Sequence, residues 1–499
     1  MSGIRLLDLI KPFASIFLEV ELPYEKSIFD EKLVYTVAAA IIYLLLGLPI
    51  NGVNDENVVD AFGWLRNCFA STPGTLLEFG VLPVAFSAFL WQIAAGDKLL
   101  DVDFTSSSDR KLFQSLQKLT SILLGFVFAV LLVFAGYFQP IDYFTSAAEN
   151  GELLVEPSLF SKLLIVVELT VSNTIITLMA ELLDKHYGFG SGIIDFIVIS
   201  SATTFTTSFI GLTTQVTSRG FESTGALVQF VKNMFSSKSY AYGIVEAFTR
   251  QNLTNLTQIY AAIFAVCLIV YLSNCRYEIS IKSSKVRSMA SIYPIKLLYC
   301  GAVPLIFTYS VLYFCNIIGF SLTRIFSSNK YLALIGTWEL EPEFKKTYNL
   351  TGGLLYLISA SPSCSSTNPL LSLVRPFTYT AFVVVVSTLF GKAWPHMSGS
   401  SAKDVAKQFK EQDITMVGRR DVLMSKEIGK IIVPASSAGS FATALAAAIC
   451  ECCGGSKGLS YGTVTGVLGS LSVLEEIVSE WQQTGAAGSS QLSQFIPTQ

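Results

Sequence analysis

Charge is scarce in this chain: Asp, Glu, Lys and Arg make up 14% of its 499 residues, against about a quarter in soluble domains. Histidine is nearly absent, with two residues, His186 and His396, far apart in sequence. The nine cysteines are scattered except for Cys450, Cys452 and Cys453, and no histidine lies near those three. Structural zinc sites use paired Cys or Cys/His spacings, so no metal is expected and the thiols read as small apolar residues at the end of a span. No Walker loop or H-E-x-x-H occurs, so neither a catalytic set nor a cofactor is expected and the chain does not read as an enzyme. The start, MSGIRLLDLIKPF, has no basic leader, unbroken apolar core or A-x-A site, so a cleaved signal peptide is not expected.

Apolar residues are abundant. They form 51% of the chain, with 36 Phe and 20 Tyr, and the mean hydropathy is +0.53. This is the profile of an all-α integral membrane protein. A bilayer core about 30 Å thick takes about 20 apolar residues in helix. Five stretches qualify: 33–50, 119–141, 256–275, 297–323 and 376–391, the last extending backward only by taking in Arg375. Five weaker ones are 74–96 with Glu78, 163–180 with Glu168, 192–217 with Asp195, 431–450 and 458–474. These are rich in Gly, Ser, Thr and Ala, which let helices approach closely in lipid. Ten spans are therefore predicted, with both termini on one side. The first 32 residues and the loops 97–118, 181–191, 276–296 and 392–430 on that side hold 22 of the 34 Lys and Arg, which makes it cytosolic.

Residues 1–24 read as an interfacial amphipathic helix, with Ile4, Leu7 and Ile10 on one face and Pro12 and Pro23 as breaks. Residues 54–70 read as a second short helix, because Val58, Ala61, Phe62, Leu65, Cys68 and Phe69 follow i, i+3, i+4, i+7 spacing. Asn54 and Asp55 can cap it and Pro73-Gly74 ends it. Too short to cross, it lies at the interface or re-enters the bilayer under protein cover; pattern alone favours the interface. The expected division is an N-terminal half at 25–217, a polar loop at 218–255, a C-terminal half at 256–484 and a disordered tail at 485–499. A second polar loop, 324–370, shares the side of 218–255. Of three glycosylation sequons, at Asn252, Asn255 and Asn349, the last is best placed.

Loops 276–296 and 392–430 hold 13 of the 34 basic residues. In GSSAKDVAKQFKEQDITMVGRRD, residues 399–421, Ala402, Val405, Ala406 and Phe409 share one helical face and Lys403, Lys407 and Lys410 another. Gly418 then breaks the segment before Arg419-Arg420, and Lys285 and Arg287 centre the other loop. Topology alone produces short positive loops. Loop 392–430 is longer and more patterned than orientation needs, and paired arginines at a turn suit phosphate. Cytosolic phosphate beside a membrane belongs to lipid headgroups, nucleotides or structured RNA. The acids Glu168 and Asp195 support a rival reading, a secondary transporter of a small solute. Glu78 and Asp195 lie near predicted span ends, where hydration is expected.

The 399–421 stretch, YPIKLLY at 293–299, PGTLLEFGVLPV at 73–84, DRKLFQSLQKL at 109–119 and GFGSG at 188–192 together resemble the SecY family of protein-conducting channels. The resemblance is specifically to eukaryotic translocon alpha subunits, in the auxiliary yeast-type branch, and covers nearly the whole chain. It implies ten transmembrane helices in two pseudosymmetric five-helix halves, a clamshell hinged between spans 5 and 6 around an hourglass pore. It turns 54–70 into a plug helix with Val58, Phe62, Leu65 and Phe69 as its apolar residues. It implies a pore ring of Val81, Ala85, Ile193, Ile197, Ile306, and Val464 or Thr465. Ala85 is smaller than the residue usual there, and Asp195 falls between two ring positions. A lateral gate would open between spans 2–3 and 7–8. Lys285, Arg287, Arg419 and Arg420, supported by Lys403, Lys407 and Lys410, would meet the ribosome, through large-subunit RNA and proteins near the exit tunnel. The other implied partners are nascent polypeptides and signal sequences, small single-span beta and gamma subunits, and membrane lipids. The implied location is the endoplasmic-reticulum membrane. A ribosome receptor that conducts nothing is a third reading.

Overall fold

The computed structural model describes residues 11–12, 18–24, 27–51, 53, 60–100, 102–104, 106–138, 159–217, 220–236, 240–250, 253–283, 290–327, 331–340, 348–360, 369–416, 424–454 and 458–483. Outside them fall Ile4, Leu7, Ile10, Val58, Asn252, Lys285, Arg287, Arg419, Arg420 and the tail 485–499.

Long helices stand at each of the ten expected spans: α1 Phe29–Leu45, α3 Leu82–Gly96, α4 Ser107–Phe134, α5 Leu159–Leu182, α6 Gly192–Ile210, α9 Leu256–Ser273, α10 Val303–Ile325, α12 Pro369–Met397, α14 Met424–Gly454 and α15 Leu459–Gln483. Seven of these are long and apolar enough to cross a bilayer by length and composition. Among the other three, α1 and α3 are short, at 17 and 15 residues, and α15 is diluted by Gly, Ser and Thr.

Local chemistry sets the ends. Asn255 caps α9 by accepting from the Gln258 amide at 2.9 Å, while the Gln258 side chain accepts from the Asn255 amide. The span expected from residue 74 becomes helical only at Leu82, with Pro83 in its first turn, where no backbone bond is lost. The residues before it form turns, and Gly80 takes φ +52°, a conformation that favours glycine. Pro376 and Pro395 lie inside α12 and Pro434 inside α14.

Helix α6 packs along α15, and α9 along α14 and α15. Across the molecule, α3 and α4 pack on α10, and α3 also on α12. The first five long helices therefore meet the last five along two seams.

The fold is mostly helical as expected, and among the described residues three small sheets lie in the connections. Strands β1 Thr214–Thr217 and β2 Gly220–Ser223 form a hairpin. Strands β3 Arg276–Ser283, β4 Ala290–Lys296 and β7 Ile414–Met416 form a sheet in the order β4-β3-β7. Strands β5 Thr337–Leu340 and β6 Tyr348–Gly352 form the third. Helices α7 Ala226–Ser236 and α8 Tyr240–Thr249 lie within the polar segment 218–255. A short helix, α11 Leu354–Ile358, follows β6.

Residues 18–24 are non-helical rather than part of a helix over 1–24. Their carbonyls are drawn onto the spans instead: Leu18 accepts from Lys118 at 2.6 Å, Glu21 from the Tyr187 hydroxyl at 3.0 Å, and Val20 from Lys185. Asn349 sits in β6 at 7% exposure, which leaves no room for a glycan. Both ends of the Asn255 amide are engaged, one by the cap and one by the Arg250 carbonyl at 3.2 Å.

Candidate functional site

Between α1 and α3 the chain dips into the molecule. The predicted helix over 54–70 is, among the described residues, a single turn, α2 Gly63–Arg66. It stops early because the following amides fold back by three residues: Cys68 donates to Leu65 and Phe69 to Arg66. The next carbonyls are claimed from outside, that of Phe69 by the Val81 amide at 2.9 Å and that of Ala70 by the Tyr43 hydroxyl. Gly80 and Gly458 allow this approach. A Cβ on Gly80 would stand 2.0 Å from the Phe69 oxygen, and one on Gly458 2.2 Å from that of Trp64.

Phe62, Leu65, Cys68 and Phe69 are fully buried and enter the largest apolar cluster of the molecule. Tyr313 of α10 stands 5.5 Å from the Phe62 ring and 5.8 Å from that of Phe69, with Tyr137 and Phe320 also around Phe62. Of the implied ring residues, Ala85, Ile197, Ile306 and Val464 belong to this same cluster, from α3, α6, α10 and α15. Ile193 packs on its edge and also on a second cluster that contains Val81. Thr465 is buried with its hydroxyl turned onto its own helix, at 3.0 Å from the Tyr461 and Gly462 carbonyls.

Beside the apolar contacts lies a polar knot that sequence reading missed. Arg66 is 4% exposed and Glu78 1%. Nη2 of Arg66 donates to Oε1 of Glu78 at 2.6 Å and to the Tyr137 hydroxyl at 2.7 Å, and Nε to Asp60 at 2.9 Å. The other oxygen of Glu78 accepts from the Gly74 amide at 2.7 Å. Glu78 is therefore not hydrated at a span end but buried against an arginine. Asp195 is likewise buried, at 5% exposure, and Glu168 accepts from the Asn51 amide at 3.0 Å. On the far side, the Tyr348 amide of β6 donates to the Asp60 carbonyl at 2.8 Å.

One of the two seams is lined by rings. Phe86 of α3 stacks on Phe314 of α10 at 4.3 Å and 8°. Phe89 meets Phe307, Phe390 and Trp394, and Phe128 of α4 meets Phe314. These residues were hidden in a chain with 36 Phe, where no single ring stands out.

The two basic loops form one body. Strand β3 from the first pairs with β7 from the second, Ile281 opposite Met416 and Ser283 opposite Ile414. Helix α13 Ala402–Glu411 begins at a Ser401/Asp404 capping box and lays Val405, Ala406 and Phe409 against Ile279, Ile281, Ile295 and Ile428. Lys403, Lys407 and Lys410 remain exposed on its other face.

This architecture has relatives. The SecY family model matches residues 75–477. The chain is 36% identical over 507 aligned residues to the Sec sixty-one protein homolog of Saccharomyces cerevisiae, covering 99% of each chain. It is 34% identical to the protein transport protein SEC61 subunit alpha of Yarrowia lipolytica, covering 88% of this chain and 90% of that one. Among solved structures it is similar to an idle yeast Ssh1 complex bound to the yeast 80S ribosome, with TM-score 0.75, 34% identity and coverage of 100% and 99%. A protein-conducting channel shares its fold at TM-score 0.73 and 21% identity, covering 94% of this chain and 97% of that one. With ten helices meeting along two seams and a buried re-entrant segment between the first two, the chain belongs to the SecY family.

Proposed function

We propose that the chain is the pore-forming subunit of an endoplasmic-reticulum protein translocation channel, here in its closed form. It passes nascent polypeptides across the membrane and releases apolar segments sideways into lipid. The seat of 60–69 carries this reading: its aromatic and leucine side chains fill the cluster that also holds Ala85, Ile197, Ile306 and Val464. A plug held by noncovalent contacts can leave, and its departure uncovers a weakly apolar constriction. Such a constriction blocks ions by dewetting when closed. The aromatic seam between α3/α4 and α10/α12 is the lateral gate, through which a segment's own transfer free energy sorts it into lipid. Ring roles for Val81, Ile193 and Thr465 rest on the resemblance alone. The relatives' names support protein transport over a small-solute transporter.

The body built from loops 276–296 and 392–430 docks on the ribosome, and both termini lie in the cytosol with it. The exposed lysines of α13 support this, as does the ribosome-bound complex to which the chain is similar. The work done is passage and sorting rather than bond chemistry. Small beta and gamma subunits complete the assembly.

A stalled nascent chain carrying a photo-crosslinker tests the channel. Adducts on Ile306 and Val81 are expected, whereas adducts confined to the cytosolic loops leave a receptor that conducts nothing. Reversing Lys285, Arg287 and Arg420 to Glu tests the docking. The log–log salt slope of ribosome binding should fall by about 2–3; an unchanged slope rejects the assignment.

A further inference from the structure

The helix pair α7–α8 is arranged inside out for a segment in water. In its flanks the charged pair Glu222 and Arg250 turns inward, while Lys232 on α7 stays exposed. Arg250 donates to Glu222 at 3.0 Å and to the Ser223 carbonyl at 2.6 Å, and Lys232 reaches back to the Ser223 hydroxyl. The outward side is apolar: Leu227, Val231 and Phe235 recur at i, i+4 and i+8 on α7, and Ile244, Val245 and Phe248 are exposed on α8. Phe235 is 90% exposed. That spacing makes one continuous stripe on α7.

The depth of the pair follows from what it packs on. Ala226, Phe230 and Ala247 share a cluster with Phe205 and Phe209 of α6 and with Ile259 and Ala262 of α9. Phe205 lies about 7 Å inside the end of α6, and Ala262 about 9 Å inside the start of α9, at 1.5 Å per residue. Helix α6 is 19 residues long, or about 28 Å, close to the hydrocarbon thickness of about 30 Å. The pair therefore lies alongside the span ends, at the level where acyl chains begin. Its outer face also continues that of α9, since Phe248 stacks on Tyr260 at 6.1 Å and 16°, and Ile263 and Phe264 beyond it are exposed.

We propose that α7 and α8 are seated in the lipid leaflet opposite the basic loops, with Leu227, Val231, Phe235, Ile244, Val245 and Phe248 in contact with acyl chains. The occupant of this face is phospholipid: Arg250 and Lys232 each find partners within the protein, the stripe joins a span's outer surface, and its depth matches the acyl region. The linker between α6 and α9 is thus tied to the bilayer and moves with it.

The test uses the full chain in phosphatidylcholine vesicles, with an environment-sensitive fluorescent amino acid encoded at Phe235. Lipids brominated near the headgroup end of the acyl chain should quench it at least about twofold more than aqueous iodide does. Adding Val231→Asp should reverse that preference. Stronger quenching by iodide overturns the proposal by placing the face in water. Insensitivity to both quenchers overturns it by showing that protein covers the face. The unmodified chain gives an independent reading: a phospholipid with a diazirine in its acyl chain should label 226–236, and labelling confined to the long helices overturns the proposal.

Discussion

Arg66 decides how firmly the re-entrant segment stays home. Its guanidinium is shared among Asp60, Glu78 and Tyr137, the last two buried with it and Asp60 half-buried. An ion pair like this adds little over a well-packed apolar replacement, but removing one partner strands a charge at a cost of about 3–5 kcal/mol. Arg66→Met, which strands the Glu78 and Asp60 carboxylates together, should therefore favour unseating by about a hundredfold or more, since each 1.4 kcal/mol is a factor of ten. Single-channel recording in planar bilayers should show more frequent ion-conducting openings; a leak equal to wild type would mean that the knot does not hold the plug. The sequence revealed the apolar spacing of Phe62, Leu65 and Phe69 but not this pairing. Glu78 looked like a hydrated acid because its partner lies 12 residues upstream, across the Pro73-Gly74 turn. The available signal was Arg66 itself, a lone cation within an apolar run.

At the scale of elements, the helix at 402–411 was readable almost residue by residue. Its apolar face and its lysine face both follow from 3.6-residue periodicity, and the Ser401/Asp404 cap lies three residues apart. The sheet it rests on was not readable. Strand β7 is three residues long, and its partner β3 lies more than 130 residues away, so no local pattern announces it. The pairing matters because it joins the described parts of the two basic loops in one sheet. Phe409→Asp places a charge among Ile279, Ile281 and Ile295, and loss of the ring alone costs about 3–5 kcal/mol. Ribosome affinity should fall at least about tenfold with every lysine retained. Protease cleavage within 402–416 should rise in parallel. Unchanged affinity would show that the lysines act without the sheet.

For the whole molecule, composition and hydropathy announced the membrane and the ten helices. They were silent on how the helices meet, because lipid-facing and protein-facing apolar residues have the same hydropathy. The two seams differ in kind. At α6–α15 the helices touch through small residues: a Cβ on Gly466 would stand 1.9 Å from the Ser201 hydroxyl, and one on Gly469 2.7 Å from Ile194 and Val198. At α3/α4–α10/α12 they touch through stacked rings. Parting the second seam means separating Phe86 from Phe314 and Phe89 from Phe307, Phe390 and Trp394. Each such ring pair is worth about 0.5–1.5 kcal/mol beyond its buried area. Phe314→Ala should ease that separation. In a graded Leu/Ala series of test segments, half-maximal membrane integration should need about two or three fewer leucines, each contributing about 0.5 kcal/mol. An unmoved midpoint would show that these rings do not bear on sorting. The ring seam is in this sense a hydrophobicity threshold written in phenylalanine. A segment whose gain in lipid exceeds the cost of unstacking leaves sideways, and one that falls short continues through the pore, so the number of stacked rings sets where membrane proteins end and secreted ones begin.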